Sequence, residues 1–125
     1  MAEGEREFLF AQPHIFSTDI ERTLRFFTDV LGFAVDFTYG EPPTYAEVFR
    51  DAARVSLRLV AESPFKEGVR DRDELLSALI RVRDIDAFAA SLRDVPLHLP
   101  LTERPWGREL IVKDPDGNLL CFHND

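Results

Sequence analysis

The residues that could carry chemistry in this chain are few, and they lie near its two ends. Gln12 and His14 share the parity of one predicted strand, and Cys121 and His123 share that of another. Residues two apart in a strand point to the same side, so each pair is placed to line a pocket. Two histidines without neighbouring carboxylates make a poor metal site. The histidines are therefore either an unconventional metal site or hydrogen-bonded side chains at a pocket wall.

Arg58 is the charged residue with the clearest chemical potential. On a strand face that lines a pocket, its planar guanidinium would hold a carboxylate, phosphate or sulfate through two hydrogen bonds. At a strand end it would instead extend into solvent or pair with a neighbouring acid. Cys121 is typical of a small buried apolar residue rather than a nucleophile. The sequence has no Ser/His/Asp order, no Gly-rich phosphate loop and no zinc-binding spacing, so it assigns no catalytic residue.

Composition limits the class of protein. A length of 125 residues predicts a single domain, 1–125, with a substantial core. Lys and Arg number 15 against 23 Asp and Glu, a net charge of −8, which argues against nucleic acid or an anionic membrane as partner. One cysteine excludes an intrachain disulfide framework. The charged start and the lack of a long apolar run predict a cytoplasmic protein without signal peptide or membrane span.

The chain contains a weak internal duplication. Asp19 and Asp84 each precede an isoleucine at the start of a helical pattern, and they are 84 − 19 = 65 positions apart. Asp51 and Asp114 lie in predicted turns 114 − 51 = 63 positions apart. Two copies of roughly 60 residues indicate a duplicated module rather than a solenoid, which needs three or more repeats. We expect module 1 at about 8–62, a polar linker at 63–74 and module 2 at about 75–125.

Each module is predicted as βαβββ. In the first, a strand at 8–17 leads to a capping box, Thr18 with Glu21, and to a helix that Gly32 ends. Strands follow at 33–39, 45–50 and 54–62. In the second, a strand at 75–83 precedes a helix that Asp84 caps. An edge strand at 95–101 with two prolines then precedes a hairpin at 108–113 and 118–123, built on a Pro-Asp-Gly turn.

These residues resemble the vicinal oxygen chelate superfamily, also called the glyoxalase/bleomycin resistance/dioxygenase fold. The matching runs are DIERTLRFFTDVLGF at 19–33 and PWGRELIVKDPDGNLLCF at 105–122. The resemblance implies an α+β fold in which two βαβββ modules form curved mixed sheets around an open cavity. It also implies a homodimer, with pockets at or near the subunit interface. Function does not follow from the fold, because the family includes isomerases, dioxygenases, transferases and metal-free binding proteins.

The resemblance also indicates where metal ligands would stand. The four strand positions that hold His or Glu in the family's metal enzymes correspond here to Gln12, Arg58, Ser77 and Cys121. Divalent metals of the Mn, Fe or Ni type favour imidazole and carboxylate ligands, and an arginine would repel a cation. This set predicts no metal and no other cofactor.

The resulting hypothesis is a metal-free protein that binds a small aromatic molecule such as an antibiotic, as the bleomycin resistance branch does. In that branch a Trp in a similar Pro-Trp-Gly run contacts flat ligands, so Trp106 either stacks on a ligand or packs its loop onto the core. The predicted ligand-binding residues are Trp106, Arg58, Phe10, Phe37, Tyr39, Tyr45, Gln12 and Cys121. One alternative is a metal-dependent lyase or dioxygenase that uses His14 and His123. Another is a structural dimer without a small ligand.

Overall fold

The computed structural model describes residues 6–65 and 68–125, so residues 1–5 and residues 66–67 of the predicted linker lie outside the described residues. Within that part the strands are β1 (His14–Ser17), β2 (Ala34–Tyr39), β3 (Tyr45–Arg50), β4 (Ala53–Leu59), β5 (Leu76–Arg81), β6 (Leu99–Arg104), β7 (Gly107–Lys113) and β8 (Leu119–Asn124). The helices are α1 (Ile20–Arg25), continued by a π-helical turn at Phe26–Val30, α2 (Val69–Asp73) and α3 (Ile85–Ser91).

The two modules form separate mixed sheets with the same topology, which confirms the predicted α+β fold of two βαβββ units. The strand orders are β1-β4-β3-β2 and β5-β8-β7-β6. In each sheet the first strand of the module runs parallel to the last strand, and the remaining pairs are antiparallel. The two hairpin connections of each module explain its antiparallel neighbours, and the first strand joins the sheet beside the last strand.

The core lies between the helices and one side of each sheet, and it is shared by the two modules. Ile15 and Leu57 of the first sheet and Ile80 and Phe122 of the second belong to one apolar cluster that also receives Phe27, Ile85 and Phe88 from the helical segments. Phe88 and Phe122 pack with ring centroids 4.5 Å apart. Because one core unites both modules, the other side of each sheet faces away from it.

The start of α1 differs in detail from the prediction. The N-cap is Asp19, whose carboxylate accepts a hydrogen bond from the Arg22 amide at 3.1 Å. Thr18, predicted to begin a capping box, instead donates its hydroxyl to Asp116 of the terminal hairpin at 2.5 Å. A short Asp side chain fulfils the same capping requirement as Thr. The long-range partner, 98 positions away, could not be seen in a local pattern.

Two predicted strands are shifted. The first was predicted over 8–17 but begins at His14, and the preceding apolar residues are exposed, Phe8 at 91% and Phe10 at 65%. The edge strand was predicted over 95–101 but occupies Leu99–Arg104, beyond most of its proline-rich segment. Proline donates no backbone hydrogen bond, and the pairing of β6 with β7 is irregular between Leu99 and Thr102, on either side of Pro100. Among the described residues, no helix is long and apolar enough to cross a membrane.

Candidate functional site: two open sheet faces

Each sheet has a face that points away from the helices and the shared core, and we call these the first and second open faces. Alternation along the strands produces them: Ala46 and Val48 of β3 are buried in the core, whereas Tyr45 and Glu47 point to the other side. Residues directly opposite one another on neighbouring strands share a face. The register therefore shows which predicted site residues are brought together.

Two rows of side chains form the first open face. The pairing of β1, β4, β3 and β2 gives the row His14, Ser56, Glu47, Phe37 and the row Phe16, Arg58, Tyr45, Tyr39. Five residues singled out in the sequence, the aromatic ones of β2 and β3 together with His14 and Arg58, thus share one surface. The Tyr45 ring lies 5.9 Å from Phe37 and 6.2 Å from His14, measured between centroids.

A hydrogen-bond chain fixes the centre of this face. Gln12 donates its side-chain amide to the Ser56 hydroxyl at 2.6 Å. The Tyr45 hydroxyl lies 2.9 Å from the same Ser56 oxygen and 3.0 Å from the Glu47 carboxylate. Such a chain holds the Tyr45 ring in one orientation.

The edge of the face is exposed. Phe37 is 44% exposed and Tyr39 is 71% exposed on the edge strand β2. The Arg58 guanidinium makes no ion pair within the described part of the chain, so it is available to an anion. Phe10 lies in the exposed segment before β1 and is not part of either row.

The register corrects one inference from the duplication. Ile15 pairs with Leu57 and Ile80 with Phe122, so the last strands of the two modules correspond at an offset of 122 − 57 = 65 and not 63. Ser56, rather than Arg58, is therefore the counterpart of Cys121. The offset of 63 came from aligning two turns that differ in length. Ser56 is no better a metal ligand than Arg58, so the chemistry predicted for that position is unchanged.

The second open face combines an apolar row with a polar row, and unlike the first it is buried at its centre, where Cys121, Ile111, Glu109 and His123 have little exposure. Leu79, Cys121, Ile111 and Leu99 form the first, and Arg81, His123, Glu109 and Thr102 form the second. Glu109 is buried, with its carboxylate 2.9 Å from Arg104 Nε, 3.2 Å from Cys121 Sγ and 3.7 Å from His123 Nδ1. The sequence prediction missed Glu109, because it treated residues 108–113 as a continuous apolar strand.

The protonation states of this cluster follow from its geometry. Burial raises the pKa of the Cys121 thiol to about 12, and the hydrogen bond to Glu109 adds to the effect. Burial also acts to raise the pKa of Glu109, but the hydrogen bonds from Cys121 and Arg104 outweigh it and hold that pKa below its ordinary value. Glu109 is therefore ionised at neutral pH and Cys121 is a neutral donor, unsuited to attack a substrate.

Trp106 stands at the end of the second open face, in the turn between β6 and β7. Its side chain is 61% exposed, and the Arg104 guanidinium carbon lies 5.9 Å from its ring centroid. Gly107 follows with φ +135°, and a Cβ there would come within 2.5 Å of the Asn124 carbonyl oxygen. Only glycine fits, so the turn that presents the indole depends on Gly107.

Ser77 is engaged within the chain rather than free for a ligand. Its hydroxyl receives a hydrogen bond from Arg70 of α2 and donates one to the Asn118 side chain at 2.8 Å. Arg70 itself is buried beneath Phe65, with its guanidinium carbon 3.6 Å from the ring centroid. The described part of the predicted linker thus packs against module 2.

Across residues 6–65 and 68–125, no group of three or more His, Cys, Asp or Glu side chains is arranged to hold a metal ion. His14 and His123 lie on the open faces of different sheets. His123 Nε2 lies 2.8 Å from Asp125, and its buried Nδ1 has no hydrogen-bond partner among the described residues.

Comparison with known proteins gives one family. A model of the Glyoxalase/Bleomycin resistance protein/Dioxygenase superfamily matches residues 9–122. Among curated proteins, none matches the sequence.

Several solved structures share the fold. The bleomycin-binding protein of bleomycin-producing Streptomyces verticillus, complexed with copper(II)-bleomycin, is 27% identical, covers 96% of this chain and 98% of its own, and has a TM-score of 0.72. TnmS3, an antibiotic-binding protein from Streptomyces sp. CB03234, is 27% identical with coverage of 90% and 92% and a TM-score of 0.68. Lactoylglutathione lyase of Agrobacterium tumefaciens is 12% identical with coverage of 92% and 92% and a TM-score of 0.69, a likeness of fold alone.

Proposed function

The chain belongs to the glyoxalase/bleomycin resistance protein/dioxygenase superfamily, and we propose that it is a metal-free binding protein that sequesters a small aromatic molecule of the antibiotic type in the cytoplasm. The observation that carries the proposal is the exposure of aromatic rings on both open faces: Phe37, Tyr39 and Trp106 are 44%, 71% and 61% exposed. Exposed apolar surface of this kind marks interaction sites, and flat rings suit flat ligands.

The two similar structures at 27% identity support a binding role. One is described as a bleomycin-binding protein and the other as an antibiotic-binding protein, and both align over 90% or more of this chain. The polar groups available here agree with that role. The first open face offers the Arg58 guanidinium to an anionic group, while the net charge of −8 attracts cationic ligands by long-range electrostatics.

The proposed active form is a homodimer. Each open face is one wall, because the sheets turn away from a shared core, and a ligand stacked on Trp106 needs a second wall to exclude water. A second copy of the chain can supply one by placing its first open face opposite Trp106. Light scattering at micromolar concentration is expected to give twice the 14.3 kDa mass of the chain, and the mass of a single chain would contradict the dimer.

Native mass spectrometry of the purified protein, with and without chelator, tests the function. The expected result is a dimer without stoichiometric metal, which gains mass when metal-free bleomycin or copper(II)-bleomycin is added as a probe. Other flat aromatic antibiotics extend the test if bleomycin does not bind. A protein that takes up none of a broad panel would favour the structural-dimer alternative.

The same measurement decides the enzyme alternative. About one Ni, Zn, Mn or Fe per chain, removed by chelator, would contradict the metal-free proposal. Substitution of His14 and His123 by Ala would then show whether these histidines hold the ion. Loss of the ion in both variants would support a metal-dependent lyase or dioxygenase, and retention would place the metal elsewhere.

A further inference from the structure

A cavity of about 440 Å³ lies at the junction of the two modules, and of its lining residues only Arg81 also belongs to an open face. It separates the β3–β4 hairpin of module 1 from β5 and α3 of module 2. Its floor is apolar and largely buried, formed by Phe33, Phe88 and Phe122. Three arginines, Arg50, Arg81 and Arg83, line its walls together with Asp51, Asp84 and small side chains.

The duplication relates this cleft to a second junction in the same chain. The helix caps Asp19 and Asp84 correspond at an offset of 65, as do Leu57 and Phe122 in the last strands. At that offset, Thr18 corresponds to Arg83, Arg22 to Ala87, and Ala53 to Asn118. The β7–β8 turn against α1 is therefore the counterpart of the β3–β4 turn against α3.

The junction between the β7–β8 turn and α1 is closed by polar contacts. The Asp116 carboxylate accepts hydrogen bonds from the Thr18 amide at 3.2 Å and from Arg22 Nη2 at 3.0 Å. The Asn118 amide donates to the Phe16 carbonyl oxygen at 2.9 Å. Asp116 of the turn thus pairs with Arg22 of α1, and direct contacts join the turn to the helix and to the residues before it.

The junction between the β3–β4 turn and α3 lacks these side chains. Ala53 stands where Asn118 reaches across, and Ala87 stands where Arg22 binds Asp116. The charge also changes: β3 ends in Arg50, and Arg83 takes the position of Thr18. The β3–β4 connection is shorter, since Arg50 pairs directly with Ala53. The Asp116 carboxylate corresponds at the same offset to Asp51, but Asp51 makes no ion pair among the described residues. The junction is therefore not closed as the other one is, and the truncated side chains leave the cavity.

The arginines that line the cleft are only partly engaged. Arg50 donates a hydrogen bond from Nη1 to the Leu31 carbonyl oxygen at 2.9 Å. Its guanidinium carbon lies 5.6 Å from the Phe88 ring centroid. Arg81 pairs with Asp125. Arg83 has no ion pair within the described residues. Of the two acids, Asp84 also accepts the Ala87 amide at 3.0 Å as the helix cap, and Asp51 makes no ion pair among the described residues.

We propose that this cleft is a second ligand site, separate from the open faces, for a small organic carboxylate with a compact apolar body. The carboxylate lies between Arg50 and Arg83, the two lining arginines that make no ion pair among the described residues. The apolar body rests on Phe88 and Phe122. A cavity of about 440 Å³ falls within the roughly 300–1,000 Å³ of ordinary ligand pockets. An arginine pair with an apolar floor selects an amphiphilic anion over a neutral or cationic molecule.

The test uses 4-phenylbutyrate as the probe and 4-phenylbutan-1-ol as its neutral match, because the two share one apolar body. Each is titrated into the uniformly ¹⁵N-labelled protein and followed by amide chemical shifts. The expected result is saturable binding of the acid with shifts at Ala53, Ala87 and Ser91, weaker binding of the alcohol, and an unchanged Trp106 indole signal. Because Trp106 reports on the second open face, the outcome is independent of the function proposed for that face.

Three variants sharpen the result. Arg83→Gln is expected to weaken the affinity for 4-phenylbutyrate about three- to tenfold and to leave the affinity for the alcohol unchanged. The reason is the loss of one charge-assisted contact at a partly exposed site. Ala87→Leu fills the cleft from an exposed helix position and should remove binding of both probes. Arg25→Gln, which changes an exposed arginine of α1 outside the cleft, is the matched control and should change neither.

The outcomes decide the proposal in both directions. Shifts confined to the open faces, equal binding of acid and alcohol, or full binding by Ala87→Leu would each overturn it, and so would absence of saturable binding by the parent protein. Circular dichroism of each variant confirms that lost binding reflects the cleft and not unfolding. If Ala87→Leu unfolds, the Arg83→Gln comparison alone decides, because an unchanged ratio of acid to alcohol affinity rejects the carboxylate site.

Discussion

The Cys121 thiol donates to the Glu109 carboxylate across 3.2 Å, between neighbouring strands of the second sheet. A buried acid is ordinarily disfavoured in its charged form, and here two donors, Cys121 and Arg104, reverse that tendency. Glu109, a member of the polar row of the second open face, is therefore a buried carboxylate that stays ionised beside Arg104. That charge has consequences for stability and for reactivity.

Glu109→Gln is expected to lower the free energy of unfolding at neutral pH by about 1–3 kcal/mol, because two donors lose an ionised acceptor in a buried place. The pKa of Glu109 is lowered from 4.5, so its contribution is present above that pH and is lost as the pH falls through the lower, folded-state value. The difference between parent and variant should thus shrink in acid. Denaturant unfolding at a series of pH values measures it.

Glu103→Gln is the matched control for this substitution. Glu103 lies on the neighbouring strand with its side chain 86% exposed, and its nearest cation, Arg108, is 3.5 Å away. An exposed pair contributes little, so the change should cost less than about 0.5 kcal/mol. Equal effects of the two substitutions would show that the Glu109 cluster does not stabilise the fold.

Cys121 should resist thiol reagents in the folded protein. The side chain is 0% exposed, and its pKa of about 12 leaves almost no thiolate at mildly alkaline pH. We expect labelling by a disulfide reagent to be slow without denaturant and to become rapid when urea unfolds the chain. Rapid stoichiometric labelling under native conditions would instead indicate that the second open face exposes a reactive thiol.

Gly107→Ala should destabilise the protein more than Gly117→Ala. Both glycines have positive φ, +135° and +89°, but a Cβ at Gly107 would meet the Asn124 carbonyl oxygen at 2.5 Å, whereas one at Gly117 meets open space. Gly117→Ala carries only the backbone cost, about 1 kcal/mol, while Gly107→Ala must also move β8 and is expected to cost about 3 kcal/mol or more. Chemical denaturation measures the free energy of unfolding of both variants. Equal losses of this free energy would show that β8 can shift to accept the added Cβ without a loss of stability.

Much of the fold could be predicted because its signals are local. Helix caps, strand alternation and the Asp114–Gly117 turn each depend on a few neighbouring residues, and their repetition at 65 positions indicated two modules. The exact register could not be predicted, because the β3–β4 and β7–β8 turns differ in length by one residue and no local pattern reveals that difference. Arg58 was therefore aligned with Cys121, although strand pairing makes Ser56 its counterpart.

The candidate site was predicted only in part, for a related reason. Alternation placed Phe37 and Tyr39 on one face of a strand, and the pairing of β2 with β3 brings Tyr45 to that face. Glu109 was read as part of an apolar strand, since a single acid between arginine and leucine does not show which cross-strand partners will satisfy it. Its partners, Cys121 and Arg104, come from two other strands, so only the folded sheet reveals the cluster.

Trp106 is the residue whose role most directly tests the proposed function. Its ring is 61% exposed in a turn held by Gly107, so it contributes less to the core than a buried tryptophan would. If it stacks on a flat ligand, Trp106→Ala should weaken binding by about 2 kcal/mol or more, the size expected of an aromatic hot spot. Trp106→Phe keeps a flat ring at the same place and should retain most of the affinity.

Fluorescence provides the measurement, because Trp106 is the only tryptophan in the sequence. An aromatic ligand in contact with the indole should quench or shift its emission, and a titration then gives the affinity of the parent protein. Calorimetry supplies the same quantity for the two variants, which lack the fluorophore, and circular dichroism verifies that they remain folded. A ligand that binds the parent without changing the emission, and binds folded Trp106→Ala equally well, would assign Trp106 to packing of its turn. In that case the first open face, with Tyr45 held by Ser56 and Arg58 beside it, becomes the surface on which the ligand must be sought.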